Sequence, residues 1–372
     1  MFLELSNDQH LFRETAVRFI ETESSLTQVR SWHSEPAGYS RDWLAKAAEL
    51  GWFAQLIPES LGGGSISGQG IVDASIIALE LGRFVQPGPF LSMNVVVFAL
   101  AQSGSEAHHE TMWAIAGGEH VATWAWADAD GNRDMGAGVR ASKSGDGFVL
   151  NGVRGLVQDG QSADSLLVVA NVDGTPAQFL VPANAPGVTV SPLQTLDLSR
   201  RFAEVSLDSV QVSADALVGD VGGTSVLDRQ WEIANVLLCA ESIGVIDWLF
   251  DNTVEYSKAR TAFGRPIGSY QSLKHIMADL GLYVELAKAG AVAAVESVQS
   301  GGEEAQDAVA MASSFVGDAA VLVSQEALQI HGGIGYTWEH DLHLFLRRAR
   351  ANSLMFGSPT WHREQLVAQH GL

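Results

Sequence analysis

The 372-residue chain has one cysteine, Cys239, so no disulfide can form within it and no cluster of thiolates can hold zinc. Basic residues are scarce, with 22 Lys and Arg against 43 Asp and Glu and a formal charge of -21. That balance opposes unspecific attraction to nucleic acid or to an anionic membrane, and a polyanionic ligand must be met by a local cluster of cations. Uninterrupted apolar runs of the roughly 18 to 20 residues that span a bilayer are missing. The opening stretch "MFLELSNDQHLFRETAVRF" carries Asp and Glu and lacks the basic region of a signal peptide. The expectation is a cytoplasmic protein without nucleic-acid or membrane partners. Neither internal repeats nor low-complexity segments occur.

What is present is an ordinary globular composition, 47% hydrophobic and 17% charged, in a chain long enough for two or three domains. Its texture changes twice. Over residues 1–117 apolar positions recur at helical spacing, as in "RDWLAKAAELGWFAQ" and "IVDASIIALELGRF", broken by the turn-rich "PESLGGGSISG". Over 118–222 short apolar runs alternate with Gly, Asp and Asn ("GFVLNGVRG", "SLLVVANVDG", "AQFLVPA"), the signature of closely spaced strands. Over 223–372 the helical period returns in long segments that are apolar on more than one side, as expected of a four-helix bundle that also packs against another subunit. The reading is an α+β chain ordered helical, strand-rich, helical.

Two stretches in the last segment carry chemistry. "RTAFGRPIGSYQ" offers Arg260, Phe263, Gly264 and Gln271; about 70 residues on, "QIHGGIGYTWEHDLHLFLRRA" offers Gln329, Gly332, Gly333 and Gly335. A dinucleotide presents a pyrophosphate and an adenine, so its site needs planar cationic donors, an aromatic face and glycines that admit the backbone closely. Taken alone, Arg-x-x-Phe-Gly is a helix end with a glycine cap, and Gly-Gly-Ile-Gly a turn between helices. His340 and His343 stand three apart but have no evident third metal ligand, so no metal is expected.

Together, and in this domain order, the two motifs resemble those of the acyl-CoA dehydrogenases. The resemblance spans nearly the whole chain. It implies an N-terminal helical domain, a middle β-barrel or sandwich domain and a C-terminal four-helix bundle. It further implies FAD as cofactor, an acyl-CoA substrate desaturated between its α and β carbons, and electron-transfer flavoprotein as electron acceptor. Arg260, Phe263, Gln271, Gln329, Gly332 and Gly333 would contact the adenosine-diphosphate half of a flavin bound mainly to a neighbouring subunit.

The departures are as informative. Aligned on "GDGFVLNG", the segment that the family places near flavin and thioester reads "WADADGNR" (Trp126 to Arg133), and the strand against the flavin ring reads "LVQD". Trp126 would then stack, while Val157 and Gln158 approach the ring, Gln158 as a donor. The catalytic carboxylate is absent from both places where the family carries it. One reads "MFGSPT", with Phe356 in place of Glu, then Gly357 and Ser358, the last counted with the cofactor set; the other, 26 residues before Arg260, is Ala234. Glu241 falls on the same helical stripe as Ala234, on an apolar face, and is the one base the chain can nominate; the bland reading is a Glu paired with a bundle Arg or Lys. Either Glu241 serves, or the chain resembles the base-deficient sister subunit of bacterial heteromeric acyl-CoA dehydrogenases of fatty-acid or steroid side-chain degradation, joined to a Glu-bearing homologue in a heterotetramer rather than in a homodimer or homotetramer. A non-catalytic acyl-CoA-binding scaffold and a flavin monooxygenase on the same fold stay open as alternatives.

Overall fold

The computed structural model describes residues 4–128 and 137–371. Six helices come first: α1 (Asn7–Glu23), α2 (Leu26–Trp32), α3 (Arg41–Glu49), α4 (Gly70–Arg83), α5 (Phe90–Gln102) and α6 (His109–Ala116). Ser6 starts α1 through a capping box, its hydroxyl accepting from Gln9 N while the Gln9 side chain accepts from Ser6 N. Strands follow: β1 (Ala122–Ala125), β2 (Val139–Ser144), β3 (Gly147–Gln158), β4 (Ser165–Val172), β5 (Thr175–Pro182), β6 (Val188–Leu193), β7 (Phe202–Val212) and β8 (Leu217–Val218). Then come α7 (Thr224–Ala259), a small hairpin of β9 (Thr261–Ala262) and β10 (Arg265–Pro266), and α8 (Gln271–Ser300), α9 (Ala305–His331), α10 (Leu342–Asn352) and α11 (Pro359–Gln369).

The eight long and short strands of the middle segment form one mixed sheet, ordered β6-β7-β3-β2-β4-β5-β8 with β1 pairing β4 in parallel. Alternating residues of β3, β4, β5 and β7, among them Leu150, Val157, Leu166, Val168, Phe179 and Val205, supply its buried core. A bulge between Arg154 and Val157 shifts the register against β7. It puts Leu156 in the left-handed region at φ 45°.

In packing, the chain divides into two compact units whose segments interleave. One takes residues up to Leu26, Ser75–Gln86 and Asn235–Leu372; the other takes Thr27–Ala74 and Pro87–Ala234. By length and mean hydropathy, Thr224–Ala259 and Ala305–Tyr336 would suit a membrane span, yet 83% and 50% of their apolar windows are buried within the protein, as in core helices.

Two glycines set a close helix crossing in the first unit. A Cβ on Gly82 of α4 would lie 1.9 Å from Glu241 O, and one on Gly244 of α7 would lie 1.9 Å from Leu79 O. The two helices therefore meet backbone to backbone, and the clash falls on main chain that cannot rotate away. Gly244→Ala is expected to cost about 2 kcal/mol or more by overpacking, read as a thermal midpoint lowered by roughly 5 °C.

Candidate functional site

The first unit gathers both motifs at one end of its helices. Arg260 ends α7: its N–H donates to Tyr256 O at 2.8 Å, and its own carbonyl accepts from Ile267 N at 2.8 Å, so the chain doubles back at once. The hairpin β9–β10 turns on Phe263 and Gly264, at φ 52° and 81°. Two successive left-handed residues make the two-residue turn that matches strand twist, but for phenylalanine the conformation is strained. The strain presents the ring outward, 96% exposed. Tyr270 OH donates to Ala262 O at 3.0 Å, and the Arg265 guanidinium lies 4.0 Å over the Tyr270 ring, bracing the hairpin. Gln271 opens α8 and is exposed, as is Arg260.

The end of α9 is tied to the same place. His331 is buried, stacks on Tyr256 with ring centroids 4.2 Å apart, and shares a hydrogen bond with Ala327 O at 2.8 Å; burial lowers its pKa. Tyr256 OH donates to His331 O at 3.4 Å. Gln329 is exposed beside it, and Gly332 follows at φ 64°, a conformation that only glycine takes easily. At neither Gly332 nor Gly333 would a Cβ meet anything within 4 Å. Packing within the chain thus does not explain Gly333, whereas a ligand or neighbour laid on that backbone would. Exposed cation, outward aromatic and open glycine backbone fit the adenosine-diphosphate end of FAD. Tyr256 and His331, which hold the two motifs together, carry no recognisable signal in the sequence.

Ser358 belongs elsewhere. It caps α11, its Oγ accepting from Trp361 N at 3.2 Å. The adjoining Pro359 lies against Gly317, fifteen residues along α9 from Gly332, or about 22 Å at 1.5 Å per residue.

The second unit holds the flavin-ring candidates, although residues 129–133 of the "WADADGNR" segment lie outside the described residues. Trp126 is half-buried, its indole edge-on to Trp231 with centroids 4.8 Å apart and tilted against Trp124 at 5.8 Å. Trp124 Nε1 donates to Gln178 Oε1 and Gln178 Nε2 to Gln230 Oε1, a buried relay behind the indoles. Arg154, fully buried, donates to Val169 O at 2.9 and 2.5 Å and to the carbonyls of Trp126 and Ala127 at 3.4 Å, so it fixes the backbone from which Trp126 projects. Neither Arg154 nor the glutamine relay is readable without the fold.

Two expectations need correction here. Val157 is 1% exposed and its side chain lies in the sheet core, so only its main chain can face a ligand. Gln158 turns inward: its Nε2 donates to Asp159 Oδ2 at 3.2 Å, and its carbonyl accepts from Thr123 Oγ1 at 2.5 Å. One of its two amide hydrogens is thus engaged within the chain, and the buried acceptor Oε1 has no hydrogen-bond partner. The side chain is buried, so to donate to a flavin edge the amide has to rotate out.

Both places where the resemblance puts a catalytic base are apolar and buried, at Ala234 and at Phe356, the latter held at φ 55°. Glu241 does not stand on an apolar face as a lone acid. Its Oε1 accepts from Arg348 at 2.8 Å and from Asn352 Nδ2 at 3.2 Å, while Arg348 also donates twice to Gln86 O at 3.1 Å. The arrangement locks α7, α10 and the segment after α4 together, which is the pairing reading rather than the catalytic one. The sequence offers this pairing without naming the partner, because Arg348 lies 107 residues away.

His362 bonds the Phe356 main chain, and burial depresses its pKa from 6.5 to about 4. The unfolded chain therefore takes up the proton first as pH falls. Stability present above pH 6.5 is expected to drain away down to pH 4, by about 3 kcal/mol. Denaturant unfolding across that range would register it, and His362→Phe would flatten this part of the profile.

The chain is similar to known proteins over nearly its whole length. The family model described as "Acyl-CoA dehydrogenase, N-terminal domain" matches residues 6–118, and "Acyl-CoA dehydrogenase, C-terminal domain" matches 222–370. Acyl-CoA dehydrogenase IpdE2 of Mycolicibacterium smegmatis is 33% identical over 364 residues, 97% of either chain. A chain of the ChsE4-ChsE5 complex from Mycobacterium tuberculosis superposes with TM-score 0.90 at 26% identity, covering 100% of this chain and 99% of that one. Acyl-CoA dehydrogenase from Geobacillus kaustophilus shares the fold, with TM-score 0.91 at 23% identity over 99% of both chains. The chain belongs to the acyl-CoA dehydrogenase family, a family of flavoprotein oxidoreductases.

Proposed function

We propose that this chain is the base-deficient subunit of a heteromeric, FAD-dependent acyl-CoA dehydrogenase. The observation that carries the reading is a contrast: an FAD-lending edge built to face outward, and two buried apolar residues, Ala234 and Phe356, where a base would stand. Arg260 would pair with the pyrophosphate, Phe263 would cover an aromatic or ribose face, Gln271 and Gln329 would supply polar contacts, and the backbone at Gly332 and Gly333 would admit the cofactor closely. When bound, FAD supplies two-electron oxidation of the acyl-CoA at its α,β-carbons, with electrons passing to electron-transfer flavoprotein. In the second unit Trp126 offers an aromatic wall, and the Gln158 amide, once rotated out, a donor. The α-proton would be taken by a carboxylate on a Glu-bearing homologue, since removal of an acidified C–H needs a base of raised pKa. The similar chain from Mycobacterium tuberculosis comes from a ChsE4-ChsE5 complex, and that pairing favours this arrangement over a homo-oligomer.

The test is the visible spectrum of the purified chain, alone and co-expressed with an adjacent homologue, before and after anaerobic addition of acyl-CoA esters. We expect a colourless lone chain and a yellow complex that bleaches with substrate. A lone chain that is yellow and bleaches would overturn the reading.

A further inference from the structure

A small cavity within the first unit, with about 20 Å³ of room for the centre of a water molecule, lies between α7, α9 and the turn joining α10 to α11. Asn352 and His362 both line it and are 3% and 2% exposed. Asn352 spends its amide hydrogens on Glu241 Oε1 at 3.2 Å and Ser242 Oγ at 3.1 Å. Two donated bonds fix which way the amide points, and they leave Oδ1 without a partner in the protein. His362 bonds the Phe356 main chain, whose carbonyl requires an N–H, so the remaining nitrogen, Nε2, presents a lone pair that no protein group meets. The other polar side chains of the wall have partners: Ser313 Oγ donates to Asn235 Oδ1 at 3.2 Å and faces Cys239 Sγ at 3.7 Å, Ser242 Oγ donates to Leu238 O at 2.8 Å, and Ser353 Oγ donates to Arg350 O at 2.9 Å.

Two buried acceptors without partners, on residues that line one space, call for a ligand with two donors. A water needs roughly 10–15 Å³ of such room and two to four polar partners, which this space provides, and no acyl carbon skeleton fits it. We infer that the cavity binds a single water, which donates one hydrogen to His362 Nε2 and the other to Asn352 Oδ1. That water links the last residue of α10 to α11 across the turn, and so holds Phe356 in its left-handed conformation at φ 55°. The wall includes Met355 and Gly357, on either side of Phe356, and Asn235, next after Ala234. The space, lined by chain neighbours of both residues, is thus a water site that braces the turn. The inference stands on the unliganded chain and does not depend on the flavin reading.

A crystal structure of the chain at about 1.5 Å, with one crystal pressurised with xenon, tests it directly. The expected result is an ordered solvent peak within hydrogen-bonding distance of both acceptors and no xenon there, because dry cavities take up the gas and polar ones holding water do not. Empty density or bound xenon overturns the proposal. In solution, long-range ¹⁵N–¹H correlation at pH 7 should find His362 as the Nδ1–H tautomer with its Nε2 shifted toward the hydrogen-bonded range. The Nε2–H tautomer would sink the assignment. In His362→Phe the solvent peak should vanish, and its persistence at full occupancy would count against a water held by the ring.

Discussion

Arg260→Ala is expected to leave a folded protein that assembles with its partner but carries little flavin. Arg260 is exposed at the end of α7 and its main chain, not its guanidinium, makes the helix-ending bonds to Tyr256 and Ile267. Substitution therefore removes charge without removing an internal strut. A charge-assisted contact to phosphate contributes about 1.5–3 kcal/mol, so flavin affinity should fall roughly ten- to a hundredfold, read from the 450 nm absorbance per protomer after gel filtration. Phe263→Gly offers a control of opposite sign for stability: glycine takes φ 52° without the Cβ penalty, so the thermal midpoint should hold or rise while flavin is still lost. Unchanged flavin content in Arg260→Ala would remove the cofactor role from this end of the bundle.

The second large effect concerns Glu241. If the carboxylate were a base, Glu241→Gln would silence turnover and leave the fold intact. The ion pair predicts something else. Arg348 is 1% exposed, and a neutral amide in place of Glu241 takes away the carboxylate that faces its buried charge. Breaking such a pair from one side costs about 3–5 kcal/mol, a fall in thermal midpoint of roughly 10 °C. Arg348→Met in the Glu241→Gln background should recover part of the loss, since the pair together is worth less than either orphan costs. A Glu241→Gln protein that melts like the wild type but has lost activity would restore the catalytic reading.

These particulars mark what the sequence discloses. The fold class is written in local periodicity, because a helix in a bundle and a half-buried strand each impose their own repeat on the residues that form them. The edge proposed to bind phosphate is legible for a similar reason: Phe263-Gly264 and Gly332-Gly333 sit in short turns whose chemistry is local. What stays hidden is set by partners distant in the chain. Glu241 looks like a lone acid on an apolar stripe until Arg348 arrives, and Val157 looks like any strand residue until β7 and the sheet core close over it. Gln158 likewise is buried and gives one of its amide hydrogens to Asp159, which stands on a left-handed backbone at φ 52°. A residue's type announces what it could do, and only the fold reveals whether its hydrogen-bonding capacity is already used.

The interleaving of the two units has a bearing on how the protein comes into being. Residues Thr27–Ala74 and Pro87–Ala234 complete their unit before the last third of the chain exists. Helix α1, with Phe12, Ala16 and Ile20 buried, can pair Arg13 with Glu80 early, but it belongs to the unit that Asn235–Leu372 completes. At a ribosomal pace of about 5–20 residues per second, it waits tens of seconds for α7 to α11. During that interval the other part of its unit already made is Ser75–Gln86, so most of the helix's apolar face stands open to solvent until the last segment arrives.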